Sequence, residues 1–369
     1  ANNKYGFFPS ASAGWRISEE AFMESVKETI SNLKLRASYG FTGNTEIGVY
    51  ESLATLGTSN WILGNQLVSG FFPNKIPNPD LKWERTGQFD VGLDLGLFNN
   101  RLRVTMDYYK KKTTDLLYNV AIPYTSGYDT MLKNIGSLEN HGYELSIESD
   151  NLTGPFSWTT AFNISFNRNK VLELGGEEYK EMAEGDGHLK TGSVRRLIVG
   201  EPVGVFYGYR FDGIFQNEEE CKQQTSSAAP IGVGLRRYKD LNGDGKVDAV
   251  NDREILGNAN PKFFGGLTNT FAYKGFELNV FLQYSVGNKI LNYNAMELET
   301  PTGGQNAYAD MVNRWTPENP SNIYPKATTN RNVLVSDRFI EDGSYLKLKT
   351  LSLSYSFPKV NIKQDRKST

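Results

Sequence analysis

The chain has 369 residues, with 40 basic and 42 acidic side chains and a net charge of −2. This balance provides no basic field, so the sequence gives no reason to expect nucleic acid as a partner. A single cysteine excludes an internal disulfide framework, and two histidines leave no zinc constellation to assemble. No apolar run approaches the roughly 18 residues of a membrane-spanning helix, so any membrane residence must come from strands.

Extended segments of the sequence alternate apolar and polar residues, which is the period of a β-strand with two different faces. Between positions 88 and 97, for example, Phe89, Val91 and Leu93 alternate with Asp90 and Gly92. One face suits lipid and the other a wet lumen. The sequence therefore predicts an all-β fold, an antiparallel transmembrane β-barrel. Nine strands are predicted, at about 7–17, 33–42, 84–97, 101–112, 141–150, 156–167, 263–273, 276–288 and 344–357.

Short and long connections alternate between the predicted strands. The short ones are rich in residues that accept positive φ or bend the chain. Because each crossing reverses the chain, all short turns are predicted on the periplasmic side and all long loops on the extracellular side. The tight turns are Asn99–Asn100, 151–155 and Lys274–Gly275, and the long loops are 43–83, 113–140, 168–262 and 289–343.

Two segments between the predicted strands resemble regular secondary structure. Residues 203–215 alternate like a strand, but one more crossing would put the following turn on the wrong side, so they are assigned to the extracellular excursion 168–262. Ser18, followed by two glutamates, is a candidate N-cap and predicts a short connecting helix over 18–30 on the turn side.

The last predicted strand carries leucines of both parities, and a β-bulge near Lys349 and Thr350 would place them on one face. The polar stretch 361–369 follows, without a closing aromatic strand. Nine strands leave two open edges, and open edges cannot face hydrocarbon. We therefore expect the missing strands to come from sequence outside this chain.

One loop has the spacing of a calcium site, with oxygen-bearing residues at alternate positions and a glycine at the sharp turn. The twelfth position is Asn251 instead of glutamate, so the match weakens towards its end. Two interpretations stay open: a structural Ca²⁺ site, or an Asx-rich turn held by its own hydrogen bonds. The candidate ligands are Asp240, Asn242, Asp244, Lys246, Asp248 and Asp252.

Aromatic residues on the predicted loops are candidates for stacking on a sugar ring or clamping a peptide. Most such residues pack within the protein, and the sequence alone does not separate the two roles. Aromatic residues at strand ends, such as Tyr108 and Tyr109, are interpreted as an interfacial girdle. The basic run 110–112 suits an anionic lipopolysaccharide, although such runs are usually only solvated. The candidate ligand-binding residues are Trp61, Tyr124, Tyr128, Tyr207 and Tyr209.

Seven stretches, in order along nearly the whole chain, resemble the SusC/RagA family of TonB-dependent outer-membrane transporters. Their combination is specific, whereas any one alone would be weak. They are 6–18 (GFFPSASAGWRIS), 33–44 (LKLRASYGFTGN), 78–86 (NPDLKWERT), 134–144 (NIGSLENHGYE), 200–216 (GEPVGVFYGYRFDGIFQ), 240–257 (DLNGDGKVDAVNDREILG) and 260–267 (NPKFFGGL).

The resemblance implies a plug-filled barrel of about 22 strands in the outer membrane, of which residues 1–369 would be a C-terminal portion without the plug domain and first strands. It also implies coupling to a TonB complex through the N-terminal part, and a SusD-like surface lipoprotein as a lid over the ligand.

The resulting functional hypothesis is active import of an oligosaccharide, or of a peptide, without enzymatic chemistry. No paired carboxylates, nucleophile elbow or phosphate loop stands out, and both histidines, His141 and His188, are isolated. The alternatives are a siderophore or vitamin receptor of the same architecture, a secreted calcium-stabilised β-sandwich adhesin, and an extracellular glycan hydrolase.

Overall fold

The computed structural model describes residues 2–3, 5–44, 52–128, 130–182, 193–300, 306–329 and 333–357. His188 lies outside the described residues. No described helix has the length and apolar character needed to cross a membrane.

The described chain consists mainly of strands. There are two short α-helices, α1 Glu218–Gln223 and α2 Tyr293–Leu298, and five 3-10 helices, Ile17–Glu19, Ala21–Val26, Tyr124–Ser126, Ala309–Asn313 and Asp337–Phe339. In chain order the strands are β1 Ser10–Arg16, β2 Ile30–Asn44, β3 Thr55–Leu63, β4 Gln66–Lys75, β5 Glu84–Leu97, β6 Leu102–Thr114, β7 Leu117–Ala121, β8 Thr130–Asn134, β9 Ser137–Leu152, β10 Phe156–Glu173, β11 Tyr179–Met182, β12 Arg195–Ile198, β13 Val205–Tyr209, β14 Phe211–Ile214, β15 Thr225–Ser226, β16 Arg236–Tyr238, β17 Lys246–Val247, β18 Arg253–Asn258, β19 Phe263–Tyr273, β20 Phe276–Val286, β21 Lys289–Leu291, β22 Ile340–Asp342 and β23 Tyr345–Tyr355.

Nine of these strands form one antiparallel sheet in the order β1-β2-β5-β6-β9-β10-β19-β20-β23. Each of the nine corresponds to one predicted segment, so the predicted strands are confirmed. Neighbours in the sheet are neighbours along the chain once the small hairpins in the connections are set aside, which is the up-and-down order of a barrel wall.

A continuous row of apolar side chains crosses this sheet. The register places Leu35, Leu93, Met106, Leu145 and Ile164 directly opposite one another on β2, β5, β6, β9 and β10. Leu35 is 40% exposed and Met106 is 47% exposed, so no other part of the described chain covers this row. We call this side the apolar face and the opposite side the polar face. An extended, uncovered apolar face is what a lipid-facing wall requires.

The last strand continues the apolar face because it contains a β-bulge. β20 pairs with Thr350 and then with Leu348, so Lys349 is skipped in the ladder. The extra residue returns the leucines on both sides of it to one face. The predicted bulge is confirmed.

Tight turns and long connections leave the sheet at opposite edges. Asn99 and Asn100 have φ values of 56° and 60°, and Lys274 and Gly275 have values of 47° and 85°. Positive φ at both central residues matches the twist of two paired strands. These turns and residues 153–155 define the turn edge. The connections 45–83, 115–136, 174–262 and 287–344 define the loop edge. The predicted separation is confirmed.

The connection between β1 and β2 also lies at the turn edge, but the prediction of a helix capped by Ser18 is wrong. Ser18 lies inside the first of two 3-10 helices, where it is buried and its hydroxyl has no partner. Arg16 occupies the N-cap position without a side-chain hydrogen bond. The chain must reverse between two paired strands here, and short 3-10 turns achieve this more tightly than an α-helix.

The buried core lies at the loop edge, between two connections. Val194, before β12, packs with Met296 of α2 and with Val333, Val335 and Phe339. We call the connections 174–262 and 287–344 together the loop unit. Within it, β11, β12, β13 and β18 form a separate four-stranded sheet, so residues 203–215 do not add a crossing to the nine-stranded sheet.

Adjacent residues on β6 test the assignment of the two faces. Val104 lies opposite Leu95 on the apolar face, whereas Thr105 lies opposite Asp94 on the polar face. In the full-length protein folded into lipid vesicles, Val104→Arg should lower the free energy of unfolding by about 2–4 kcal/mol, because it places a charge in hydrocarbon. Thr105→Arg should change it by less than about 1 kcal/mol. Denaturant titration measures both, and equal effects would contradict the assignment.

Candidate ligand-binding surface at the loop edge

Charged side chains line the polar face and pair across strands. The Arg36 guanidinium on β2 donates to both carboxylate oxygens of Asp94 on β5 at 3.0 Å and to Asp107 on β6 at 2.9 Å. Gly92 lies between them, and a Cβ there would come within 2.3 Å of the Asp107 carboxylate. The missing side chain lets the guanidinium bridge three strands. Such a face suits a water-filled lumen.

The loop unit is held by ion pairs as well as by its core. Arg196 on β12 is sandwiched between the rings of Tyr179 and Tyr207, with its guanidinium carbon 3.9 Å and 3.8 Å from the two ring centres. It also pairs with Glu181, which accepts from Arg253 at 3.0 Å. This arrangement joins β11, β12, β13 and β18 through one charged cluster.

A second set of contacts ties the excursion to the last connection. The Tyr209 backbone N–H donates to the Val335 carbonyl at 2.9 Å. Arg210 pairs with Glu254 and donates to the Asp337 carboxylate at 3.2 Å. The two long connections therefore form one folded unit above the sheet instead of separate loops.

The calcium-like loop is closed by its own hydrogen bonds. Asp252 is 0% exposed, and its two carboxylate oxygens accept from the backbone N–H groups of Leu241 at 2.8 Å and Asp248 at 2.7 Å. The Asp240 carboxylate accepts from Gly243 at 2.7 Å and Gly245 at 2.6 Å. The first and last predicted ligands are thus occupied by N–H donors.

The other candidate ligands also contact groups within the loop. Asp248 accepts from the backbone N–H groups of Asn251 and Val250, both at 2.9 Å, and these bonds hold its pKa below the ordinary value. The Asn242 amide donates to Asp244 at 3.0 Å, and the Lys246 ammonium lies 3.8 Å from Asp248.

Within the described ranges, no group of three or more His, Cys, Asp or Glu side chains is arranged to hold a metal ion. The geometry favours the Asx-turn alternative, and calcium binding stays a prediction.

The five aromatic candidates lie in different environments. Trp61 is 64% exposed on β3, and Tyr128 is half-buried before β8. Tyr124 begins a 3-10 helix, and its side chain lies outside the described part of the chain. Tyr207 packs on Arg196, and no ring-to-ring contact between described residues joins two of the five.

Tyr209 is a correction to the predicted ligand residues. Its side chain is 5% exposed and packs against Tyr238, with ring centres 5.7 Å apart, in a core cluster with Val247 and Leu334. Burial raises the pKa of Tyr209 to about 12. It is therefore a core residue. Alternation along a strand does not show which face a second layer covers.

Tyr109 is a second correction, because the sequence predicts it in the interfacial girdle. It lies opposite Asp90 on β5 and Gly142 on β9, on the polar face, whereas Tyr108 lies on the apolar face and stacks near Tyr143 at 4.9 Å. Of these two tyrosines, Tyr108 is the one placed for a lipid interface.

The hairpin β3–β4 carries exposed apolar residues that were not among the predicted site residues. Ile62 and Leu67 face each other near its tip and are 76% and 72% exposed. The described part of this hairpin has no charged residue before Lys75, and Trp61 lies on its other face. The signal in the sequence is this uncharged run around the turn Gly64–Asn65. The hairpin offers an uncharged surface at the loop edge.

A single amphipathic antiparallel sheet with an apolar outer face, a charged inner face and all long connections at one edge defines a membrane β-barrel wall. Comparison with known proteins agrees. The family model described as "TonB dependent receptor-like, beta-barrel" matches residues 1–286. The chain belongs to this TonB-dependent receptor family, whose barrels lie in the outer membrane and which consists of transporters and receptors rather than enzymes.

The chain is similar to several curated proteins. It is 40% identical over 358 residues to TonB-dependent receptor P3 of Formosa agariphila, which covers 97% of this chain and 35% of that protein. It is 30% identical over 371 residues to TonB-dependent receptor SusC of Bacteroides thetaiotaomicron, covering 96% and 34%. The chain thus spans about a third of the length of these relatives.

Solved structures give the same result. A structure of the RagAB peptide transporter matches with a TM-score of 0.75 and 27% identity, covering 97% of this chain and 38% of that chain. The RagAB peptide importer in its closed-closed state matches with a TM-score of 0.78 and 26% identity, with the same coverage. The resemblance to the SusC/RagA family found in the sequence is confirmed.

Asp252 tests the self-closed loop. In Asp252→Asn, an amide N–H₂ must face one of the two backbone donors, so the backbone amides of Leu241 and Asp248 should exchange with deuterium about 10- to 100-fold faster, from a loss of about 1.5–3 kcal/mol. Asp244→Asn is the matched control, because the exposed Asp244 carboxylate accepts from Asn242 and Lys246 and from neither of these two amides, and it should change their exchange little. Slower exchange of the native loop in Ca²⁺ than in EGTA would instead favour the calcium interpretation.

Glu181 gives a pH dependence with a defined sign. Burial alone would raise its pKa, but the hydrogen bond from Arg196 and the charge of Arg253 outweigh burial, and the pKa is lowered. This stabilisation is present above the ordinary carboxyl pKa and is lost as the pH falls through the lower folded-state value. The free energy of unfolding should therefore fall below about pH 4, and Glu181→Gln should remove part of that slope. Glu219→Gln on α1 is the control.

Proposed function

We propose that the protein forms part of an outer-membrane importer that takes up a nutrient, with oligosaccharides as the first ligand class and peptides as the second. The observation that carries this proposal is the folded loop unit, which lies with every long connection at one edge of a sheet whose inner face is charged. Ligand would be captured among the loops and would pass along the polar face. The step is binding and movement, with no covalent chemistry.

The ligand class is supported by the hairpin and by the relatives. Trp61 is exposed on a hairpin without charges, and a flat aromatic face suits the apolar side of a sugar ring. Peptides are favoured by the likeness to RagAB, which is described as a peptide transporter. Siderophores and vitamins remain the competing ligands for a barrel of this kind.

Two partners belong to the proposal. Similarity to SusC and RagAB supports a SusD-like surface lipoprotein that closes over the loop unit. Membership of the TonB-dependent family supports energy coupling through a TonB complex, contacted by sequence outside this chain. A β-sandwich adhesin, one of the alternatives raised by the sequence, is contradicted because the nine long strands form one sheet and not two stacked sheets.

Calorimetric titration of the full-length protein, in complex with its lipoprotein, tests the ligand class with three probes: neutral oligosaccharides, peptides and ferric siderophores. We expect oligosaccharide binding, and Trp61→Ala should weaken it by about 10- to 30-fold, since a central aromatic contact contributes about 2 kcal/mol.

Ile62→Ala is the matched control, because it removes a neighbouring exposed side chain from the other face of the hairpin. It should leave oligosaccharide affinity within about twofold. Binding of ferric siderophores without oligosaccharide or peptide would contradict the proposal.

A further inference from the structure

Three cationic side chains of β5 and β6 lie on the apolar face near the loop edge. On β6, Lys110 and Lys112 share a face with Tyr108 and Met106, because side chains alternate along the strand. Lys110 lies opposite Phe89 and Lys112 opposite Gly87 on β5, and Arg85 continues the same face of that strand. Hydrocarbon disfavours charged residues, so this part of the face is expected to lie outside the hydrocarbon layer.

These cations border a groove of about 350 Å³ with aromatic walls. Phe41 and Phe89 line it together with Tyr39, and the Arg85 guanidinium carbon lies 3.8 Å from the centre of the Phe41 ring. Gly87 forms part of the floor, and a Cβ there would meet Phe41 at 3.1 Å. The groove is therefore apolar at its base and cationic at its upper rim.

Two of the three cations have no acidic partner. Lys110 pairs with Glu139 at 3.1 Å. Within the described ranges, neither Arg85 nor Lys112 forms an ion pair with a carboxylate. All three side chains are exposed. Glu139 also lies opposite Lys112 in the register, so the rim carries three cations beside this one carboxylate and keeps a net positive charge, which is complementary to an anion.

Depth in the membrane agrees with a headgroup position. Strand residues rise about 3.3 Å each and barrel strands tilt by about 40°, so Lys110 and Lys112 lie about 5 Å and 10 Å beyond Tyr108 along the membrane normal. An interfacial tyrosine marks the edge of the hydrocarbon, and the polar layer outside it is about 5–8 Å thick. Lys110 therefore lies within that layer, whereas Lys112 and Arg85, which is opposite Thr114, lie outside it, at a level that a larger, sugar-bearing headgroup reaches.

The charge is present at one end only. Towards the turn edge, the apolar-face residues of β5 are Val91, Leu93, Leu95 and Leu97, and those of β6 and β9 are likewise uncharged. If these lysines only extended their side chains to water, similar lysines would be expected at both ends of the face. The charge therefore marks the membrane leaflet at the loop edge.

We propose that this groove binds the phosphate-bearing headgroup of an anionic glycolipid in the leaflet at the loop edge. Arg85 and Lys112 contact the phosphate, with Arg85 held in place by its stacking on Phe41. The acyl chains extend down the apolar face past Phe89 and Met106. Arginine and lysine are the common protein partners of phosphate, and clustered cations beside a membrane add to this attraction.

Native mass spectrometry of the full-length protein, extracted from phosphatidylethanolamine nanodiscs containing phosphorylated lipid A, tests this site. The double variant Arg85→Gln/Lys112→Gln should retain about tenfold less lipid A than the native protein, because two phosphate contacts are lost. Lys111→Gln is the matched control: Lys111 lies between the two lysines but on the polar face, 5.2 Å from the Tyr109 ring centre, and it should retain lipid A as the native protein does.

Two further arms identify the chemistry. Dephosphorylated lipid A should bind native protein and double variant equally. Excess inorganic phosphate should not displace bound lipid A, because inorganic phosphate has no acyl chains.

Arg85→Lys/Lys112→Arg keeps both charges and should retain binding within about twofold. A folded barrel is verified for each variant by its heat-modifiable migration in gels. Equal loss with Lys111→Gln, unchanged retention by the double variant, or displacement by free phosphate would overturn the proposal.

Discussion

The structure depends on one constraint: every backbone N–H and C=O of a strand in hydrocarbon must pair with a neighbouring strand. Inside the nine-stranded sheet, antiparallel ladders from β1–β2 to β20–β23 meet it, whereas the outer sides of β1 and β23 have no ladder partner among the described residues. Once the backbone is paired in this way, side chains have only two directions to point. The polarity of each face then follows from the alternation of residues.

Two local features keep the faces consistent from strand to strand. The bulge at Lys349 restores the leucines of β23 to the apolar face, where one skipped residue changes the parity of everything that follows. Gly92 leaves room on the polar face for the Arg36 guanidinium to reach both Asp94 and Asp107. Without the bulge the leucines on one side of it would face the lumen, and a side chain at position 92 would break the ion bridge. The wall therefore separates lipid from water without a buried core of its own.

The core lies instead where the chain returns to water. The two longest connections share one apolar cluster around Met296 and Phe339, and charged pairs such as Arg210 with Asp337 join them at their surface. A folded unit at one edge of the barrel presents defined surfaces to solvent, in contrast to the sheet, whose apolar face is reserved for lipid. This division places membrane residence in the strands and leaves the folded surface at the loop edge for the binding proposed above. The cationic groove at Arg85 and Lys112 lies at the border between the two.

The sequence by itself determined the nine strands, their up-and-down order, the side of each connection and the bulge in β23, because all of these follow from a period of two residues and from local turn chemistry. The tertiary structure alone decided which loop residues meet: Tyr209 is buried against Tyr238, and Asp252 closes the calcium-like loop by accepting two N–H groups. It also decided that Ser18 lies inside a 3-10 helix and that Arg85 shares a groove with Lys112. The physical reason is that strand patterning is a property of neighbouring residues. Contacts between distant segments depend on register and packing, which no short stretch of sequence encodes.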